Sequence, residues 1–217
     1  MKKILKGKKI LITSGPVWVS IDKVRIITSV FGGALGAIIA ESAKDMGAEV
    51  LLLAGPGREK ISESRKLKVV KFKYFQDLFD LMKKEISSKK YDIVIHSAAV
   101  PDYMPEKVFN GKIKSGQKNF IIKLKPTIKI VDQVKKWDAS VFLVKFKLEV
   151  NCDENELVKI AKASMQKSKA DIIVANDFLE MKNKKQTAFI IGNEKMKKVT
   201  TKNEIAKELL LEIQKTI

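Results

Sequence analysis

The stretch Ile10 to Gly36, ILITSGPVWVSIDKVRIITSVFGGALG, constrains the fold of this chain more than any other. Its opening apolar run, Ile10-Leu11-Ile12, is bounded by Ser14-Gly15-Pro16 and reads as a buried parallel strand. A long mixed loop follows, and Gly32, Gly33 and Gly36 then lead into a helical segment from Ala34 to Met46. Strand, loop and glycine-rich helix start leave backbone N–H groups free to bind a phosphate.

A dinucleotide fingerprint has its glycines directly after the first strand and an acid after the second. Here the glycines come late, as G-G-x-x-G, and the second strand, Val50–Leu53, runs into Ala54-Gly55-Pro56-Gly57 with no acid at its end. That disfavours NAD. A competing reading of the same glycines is purely steric, with Gly33 and Gly36 allowing a helix to approach the sheet. The glycines alone do not decide between the two.

At 217 residues the chain fits one α/β domain able to bury a substantial core. Cys152 is the only cysteine and His96 the only histidine, so a disulfide framework, a thiol or His-ligated metal site and a Ser-His-Asp triad are all disfavoured. His96 ends an apolar run and reads as a packed or capping residue. The longest uncharged run, Ile26–Ala40, is glycine-broken and shorter than the ~20 residues of a membrane span. The N-terminal lysines precede only three apolar residues, too few for a signal peptide, so a cytoplasmic protein is expected. The net charge of +18 raises nucleic-acid binding. Forty of the forty-three basic residues are lysines, however, and they are scattered along the chain. Base readout favours arginine, so a solvated basic surface with no specific nucleic-acid partner is the expectation.

Further strands are expected at Lys68–Tyr74, Tyr91–His96, Val141–Val150 and Ala170–Asp177. Helices are expected at Gln76–Ile86, Lys129–Trp137, Glu154–Lys167 and Glu204–Gln214, with a short hairpin over Thr187–Gly192 and Lys198–Thr201. This alternation predicts an α/β fold with a Rossmann-like, doubly wound, mostly parallel sheet. Ligands then sit beyond the carboxyl ends of the strands, where Gly15-Pro16 and Ala98-Ala99 should meet. Residues 103–125 break the rhythm: Asn119–Lys125 alternates, and Gly111-Lys112-Ile113-Lys114-Ser115-Gly116 precedes it. They read as a flexible β-hairpin arm whose lysines can close over phosphates. No second domain is evident over 1–217.

Four pieces in this order, ILITSGP with IDKVR and a glycine cluster, AAVPDYMP, GKIKSG, and KFKLEV followed by KADIIVAND, resemble phosphopantothenoylcysteine synthetase, the phosphopantothenate–cysteine ligase of coenzyme A synthesis. The resemblance spans nearly the whole chain. Phe146-Lys147-Leu148-Glu149-Val150, with no flavoprotein half, looks like the free-standing bacterial branch. It implies a homodimer in which the carboxylate of 4′-phosphopantothenate attacks the α-phosphate of CTP with Mg²⁺ assistance, and cysteine then displaces CMP. Related eukaryotic enzymes use ATP, so the nucleotide is CTP or, alternatively, ATP.

Carried over position by position, the resemblance assigns nucleotide contacts to Asp102, to Lys112 and Lys114 of the arm, to Phe146 and to Lys167. Gly15, Ala98, Ala99, Pro126 and Asn176 complete the expected nucleotide site. Arg25, Ser29, Gly32, Gly33 and Ala99 are the expected substrate residues, and Ser29 and Lys112 the expected catalytic ones. No metal ligand from the protein is expected. The family's substrate loop reads N-H-S-S/T-G, where this chain has Ser29-Val30-Phe31-Gly32-Gly33. Ser29 lacks the reach and the two-donor amide of asparagine. Lys145 replaces a glycine, Ala163 a helix lysine, and Val17-Trp18 a threonine and its polar neighbour. These departures cluster in the ligand loops, which keeps open an alternative, a non-catalytic nucleotide- or phosphate-binding paralogue.

Overall fold

The computed structural model describes residues 3–57, 61–182, 187–193 and 195–217. In chain order the strands are β1 (Lys9–Ser14), β2 (Val19–Ser20), β3 (Ile26–Ile27), β4 (Glu49–Ala54), β5 (Leu67–Lys71), β6 (Ile93–His96), β7 (Tyr103–Pro105), β8 (Leu124–Pro126), β9 (Phe142–Glu149), β10 (Ile172–Asp177), β11 (Ala188–Ile191) and β12 (Met196–Val199). The helices are α1 (Ala34–Asp45), α2 (Phe75–Ser87), α3 (Val131–Trp137), α4 (Glu154–Ser168), α5 (Phe178–Lys182) and α6 (Lys202–Thr216). The main sheet has eight strands in the order β12-β11-β10-β9-β6-β1-β4-β5, with β11 and β12 antiparallel. The parallel strands run third, second, first, fourth, fifth, sixth in chain order, so the order reverses between β1 and β6. That crevice is where a doubly wound sheet takes its ligand.

Both faces of the sheet are covered, and for that reason its strands read as unbroken apolar runs. Ile10, Ile12, Ile95, Val144 and Val174 pack on one side with Ile39 and Ala43 of α1 and Ile205, Leu209 and Ile213 of α6. Leu11, Leu53, Val94, Leu143 and Ile173 pack on the other with Leu78 and Met82 of α2, Val134 of α3, and Ala161 and Met165 of α4. Each of the Val, Leu, Ile and Met side chains among them stabilises the fold by about 1.5–3 kcal/mol relative to exposure. Local signals set the helix starts. Asp153 accepts hydrogen bonds from Asn155 N–H (2.9 Å) and Glu156 N–H (3.0 Å) to cap α4, and Thr201 accepts from Glu204 N–H (3.1 Å) to cap α6. Among the described residues no helix is long and apolar enough to cross a membrane.

Three features differ from the sequence expectations. The loop after β1 folds on itself through the small β2–β3 ladder, pairing Val19 with Ile27 and Ser20 with Ile26. A short helix, α5, follows β10. The arm pairs only Tyr103–Pro105 with Leu124–Pro126, so the alternation of Asn119–Lys125 gives a strand only at its end. Residues 107–123 are mostly exposed: Phe120 meets Phe109, but among the described residues no second layer covers the run, and alternation without burial does not hold a strand.

Candidate active site

Strand β1 delivers the site. Beyond Ser14 its chain pairs with the segment leaving β6: Ala99 N–H donates to Gly15 O (3.0 Å) and Val17 N–H to Ala99 O (3.2 Å). Ala98 N–H donates to Thr13 Oγ1 (3.1 Å), so Gly15-Pro16 and Ala98-Ala99 lie together at the reversal of strand order. Helix α1 starts directly above. A Cβ on Gly33 would stand 2.8 Å from Gly15 Cα, and one on Gly36 2.6 Å from the Ser14 side chain. Ser14 Oγ donates to Gly33 O at 2.7 Å and fixes this approach. Close packing of helix on strand is therefore one reason for both glycines.

A cavity of about 580 Å³ opens at this point. Gly15, Ser29, Gly32, Gly33, Ala98, Ala99, Asp102, Phe146 and Asn176 all line it, so these sequence-predicted residues come together from five segments of the chain. Arg25, Lys112, Lys114, Pro126 and Lys167 do not line it. Pro126 ends β8, next to Thr127 on the wall. Lys112 and Lys114 are exposed on the arm, and Lys167 is exposed on α4. Arg25 pairs with Asp22 instead of reaching the cavity.

Asp22, inside the IDKVR run, is a residue that sequence reasoning passed over. Its buried carboxylate accepts from Val24 N–H (2.7 Å), Arg25 N–H (2.7 Å), Ile113 N–H (3.0 Å) and the Arg25 guanidinium. The Ile113 N–H and these other donors hold its carboxyl well below the usual carboxylate range. Asp22 thereby joins the substrate loop to the arm. Lys23 N–H donating to Gly111 O (3.1 Å) and Phe109 N–H to Ile21 O (3.0 Å) strengthen the joint. An aspartate two and three residues before the N–H groups it accepts is the available sequence signal.

Other wall residues were not among the expected site residues: Thr127, Lys129 and Lys147, His96, which reads as packed or capping, and Phe31 and Lys145, which the sequence shows only as departures from the family pattern. Phe31 packs edge-on against Phe178 of α5, centroids 5.9 Å apart, which ties the substrate loop to the end of β10. Lys129 forms an ion pair with Asp102, and Lys147 one with Glu149 at 2.6 Å. His96 is buried, with Nδ1 2.9 Å from Thr13 Oγ1. Thr13 Oγ1 also accepts from Ala98 N–H, so one hydroxyl links the imidazole to the segment leaving β6. Burial, helped by the charge of Lys145, pushes the His96 pKa down to about 4, and the ring is neutral at pH 7. Asn176 is held by a weak bond from Nδ2 to Thr187 O (3.4 Å). Ser29 Oγ is the contrasting case: it is buried at the cavity and, among the described residues, has no hydrogen-bond partner. A buried hydroxyl left unpaired is costly unless a ligand completes it.

Among the described residues no three His, Cys, Asp or Glu side chains are grouped to hold a metal ion. Asp102 is the acid on the cavity wall. One carboxylate suits Mg²⁺ that arrives on phosphate oxygens and keeps its waters, not an ion caged by protein.

Comparison with known proteins bears on this site directly. The family described as DNA/pantothenate metabolism flavoprotein C-terminal domain matches residues 5–217. The coenzyme A biosynthesis bifunctional protein CoaBC of Thermococcus kodakarensis is 34% identical over 217 residues, covering 99% of this chain and 53% of that protein. The chain thus spans about half the length of the curated relatives it matches. The crystal structure of the DNA/pantothenate metabolism flavoprotein from Streptococcus pneumoniae superposes with a TM-score of 0.89 at 34% identity, covering 97% of this chain and 100% of that one. A Cab2 mutant in complex with phosphopantothenate-cysteine shares the fold, with a TM-score of 0.77 at 18% identity over 96% of this chain and 87% of that one. With a family match over nearly its full length and a close structural relative, the chain belongs to the DNA/pantothenate metabolism flavoprotein C-terminal domain family.

Proposed function

We propose that this domain, read as one ligase unit over 1–217 with its arm, joins 4′-phosphopantothenate to cysteine through an acyl-nucleotide. The observation that carries the reading is the single cavity at the β1/β6 crevice, which gathers the nucleotide-type residues Gly15, Ala98, Ala99, Asp102, Phe146 and Asn176 with the substrate-loop residues Ser29, Gly32 and Gly33. The similarity to coenzyme A biosynthesis bifunctional proteins supports the same chemistry.

A carboxylate is a poor acyl donor at neutral pH. In the first step a carboxylate oxygen of 4′-phosphopantothenate attacks the α-phosphorus of the nucleotide, and pyrophosphate leaves; Mg²⁺ brought in with the nucleotide would offset the charge of that leaving group. In the second the cysteine amine attacks the acyl carbon, and the nucleoside monophosphate leaves while the amine loses its proton. CTP is the favoured nucleotide and ATP the alternative. Phe146 packs against the nucleotide, and Asp102 and Asn176 supply polar contacts to it. Pro126 shapes the adjoining wall. Lys112, Lys114 and Lys167 neutralise the phosphates from the rim, and Arg25 orders the substrate loop through Asp22. Ser29 Oγ, which has no hydrogen-bond partner among the described residues, donates to the oxyanion that develops in the second step. The active species is read as a cytoplasmic homodimer, and no specific nucleic acid takes part.

Mixing purified protein with 4′-phosphopantothenate, cysteine, Mg²⁺ and each nucleotide tests the reading by the release of pyrophosphate and monophosphate. Neither product with any nucleotide would refute it. Pyrophosphate without ligated product would favour a paralogue that kept only the first step, the reading suggested by Ser29 and Phe31 in the substrate loop.

A further inference from the structure

Lys145 is a lysine in the middle of a central strand, and its surroundings do not account for its charge. The register aligns Thr13 with His96 and His96 with Lys145, so these three polar residues form a row across adjacent strands β1, β6 and β9. The row lies on the sheet face that carries α2, α3 and α4, at the carboxyl edge where the cavity opens. On the far side Lys145 pairs with Ile173 of β10, which offers no polar group.

The Lys145 side chain is buried, with relative exposure of 7%. Its Nζ donates to Ser164 O of α4 at 3.1 Å, a carbonyl that already accepts from Ser168 Oγ at 3.1 Å. A lysine has three donors, and among the described residues this one meets only a shared neutral acceptor. Asp132 is the carboxylate within electrostatic reach, while Lys129, Lys147 and Lys167 all stand near enough to repel it. Burial and this repulsion together push its pKa down. Asp102 and Glu149 are already committed to Lys129 and Lys147. A buried cation in this state is stabilised by any anion that enters the cavity beside it.

We propose that Lys145 is a phosphate-binding residue at the floor of the cavity, taking an anionic oxygen of the phosphate-bearing ligand that enters there. The assignment rests on the ligase reading above for which ligands those are: the nucleotide triphosphate or the phosphate of phosphopantothenate. His96 is neutral at pH 7 and so adds no repulsion to the Lys145 ammonium one strand away. The row also gives Lys167 a connection to the site, since its charge is felt at the floor although its side chain lies outside the wall.

The test is calorimetric titration of the full chain and of Lys145→Met and Lys145→Gln with Mg²⁺–CTP, Mg²⁺–ATP, 4′-phosphopantothenate, cytidine and adenosine. Thermal melts confirm that each variant is folded, and Gln serves if Met does not fold. The expected result is affinity at least tenfold weaker for a phosphate ligand, with nucleoside binding unchanged. The ligand that weakens identifies which phosphate Lys145 meets. Folded variants that bind every phosphate ligand within twofold of the parent would overturn the proposal and leave the ligase reading standing. If the parent binds neither nucleotide nor phosphopantothenate, the ligase reading fails, and inorganic pyrophosphate becomes the deciding probe. Pyrophosphate binding lost in Lys145→Met then supports the floor site, and equal or absent binding refutes it.

Discussion

Replacing Gly33 by alanine tests whether the glycine cluster is there for packing. Gly33 has φ +88 and ψ 8, the left-handed region, where an L side chain costs about 1–2 kcal/mol. Its new Cβ would sit 2.8 Å from Gly15 Cα and 2.9 Å from both Gly15 N and Ser14 Oγ, and two of those atoms are backbone that cannot swing aside. Overpacking of this kind costs about 1–3 kcal/mol, offset by the roughly 0.4–1 kcal/mol gained by restricting the unfolded chain. The net loss is about 2–4 kcal/mol, enough to move a urea midpoint by about 1 M at unchanged slope. Gly32→Ala is the internal control. Nothing lies within 4 Å of its Cβ position and its φ is not positive, so its stability should match the parent within about 0.5 kcal/mol or exceed it slightly. Equal midpoints for the two variants would refute the packing argument and return Gly33 to a purely ligand-facing role.

Three other outcomes are expected. Lys112→Ala should lower nucleotide-dependent turnover at least ~10-fold while its melting curve stays within about 0.5 kcal/mol of the parent, because an exposed lysine adds little to folding; unchanged turnover would remove Lys112 from the site. Rapid-quench samples should show acyl-nucleotide accumulating, and Ser29→Asn should speed its conversion by up to roughly a hundredfold, the worth of a positioned oxyanion donor at ~3 kcal/mol; a slower variant with no accumulation in the parent would show that Ser29 Oγ already serves. His96 is the one imidazole of the chain, so its Hε1 proton resonance should titrate with a midpoint near 4, against 6.5 for a free side chain. Between those values the unfolded chain binds a proton that the native state refuses, so stability should fall by about 3 kcal/mol as pH drops from about 6.5 to 4; a midpoint above 6 would contradict the buried, neutral ring.

The scaffold was legible wherever a segment is buried on both sides. β1, β4, β6 and β10 announce themselves as apolar runs, and the rule placing ligands at the reversal of strand order found Gly15, Ala98 and Ala99 without any structure. The walls of the site were less legible because they depend on which side of a strand looks outward. Lys145 and Lys147 flank Phe146 in KFK, and two lysines at alternate positions of an otherwise buried strand were a readable sign that one face opens at its carboxyl end. Asp22 shows a different limit. Its contact with Ile113 spans 91 residues, and no local pattern specifies such a pairing. The arm suffered from the converse problem. Asn119–Lys125 alternates correctly for a strand, but most of it has no partner surface, and tertiary context overrides propensity there.

Asp22 also sets how far the arm can travel. Its bond from Ile113, with those at Gly111 and Phe109, moors the outgoing limb to the loop after β2. The return limb is moored by Glu106 N–H to Lys123 O at 3.0 Å, and Phe120 leans on Phe109 with centroids 5.8 Å apart. The free span between these moorings is residues 114–119. At about 3.3 Å per residue, a span of that length held at both ends reaches no more than about 10 Å. Lys114 and Lys118 ride on it, whereas Lys112 lies inside the mooring and can turn only its side chain. Drawing the Lys112 backbone inward would first require Ile113 to leave Asp22. The free span of the arm is thus short, and one of its two moorings is a carboxylate of the loop after β2.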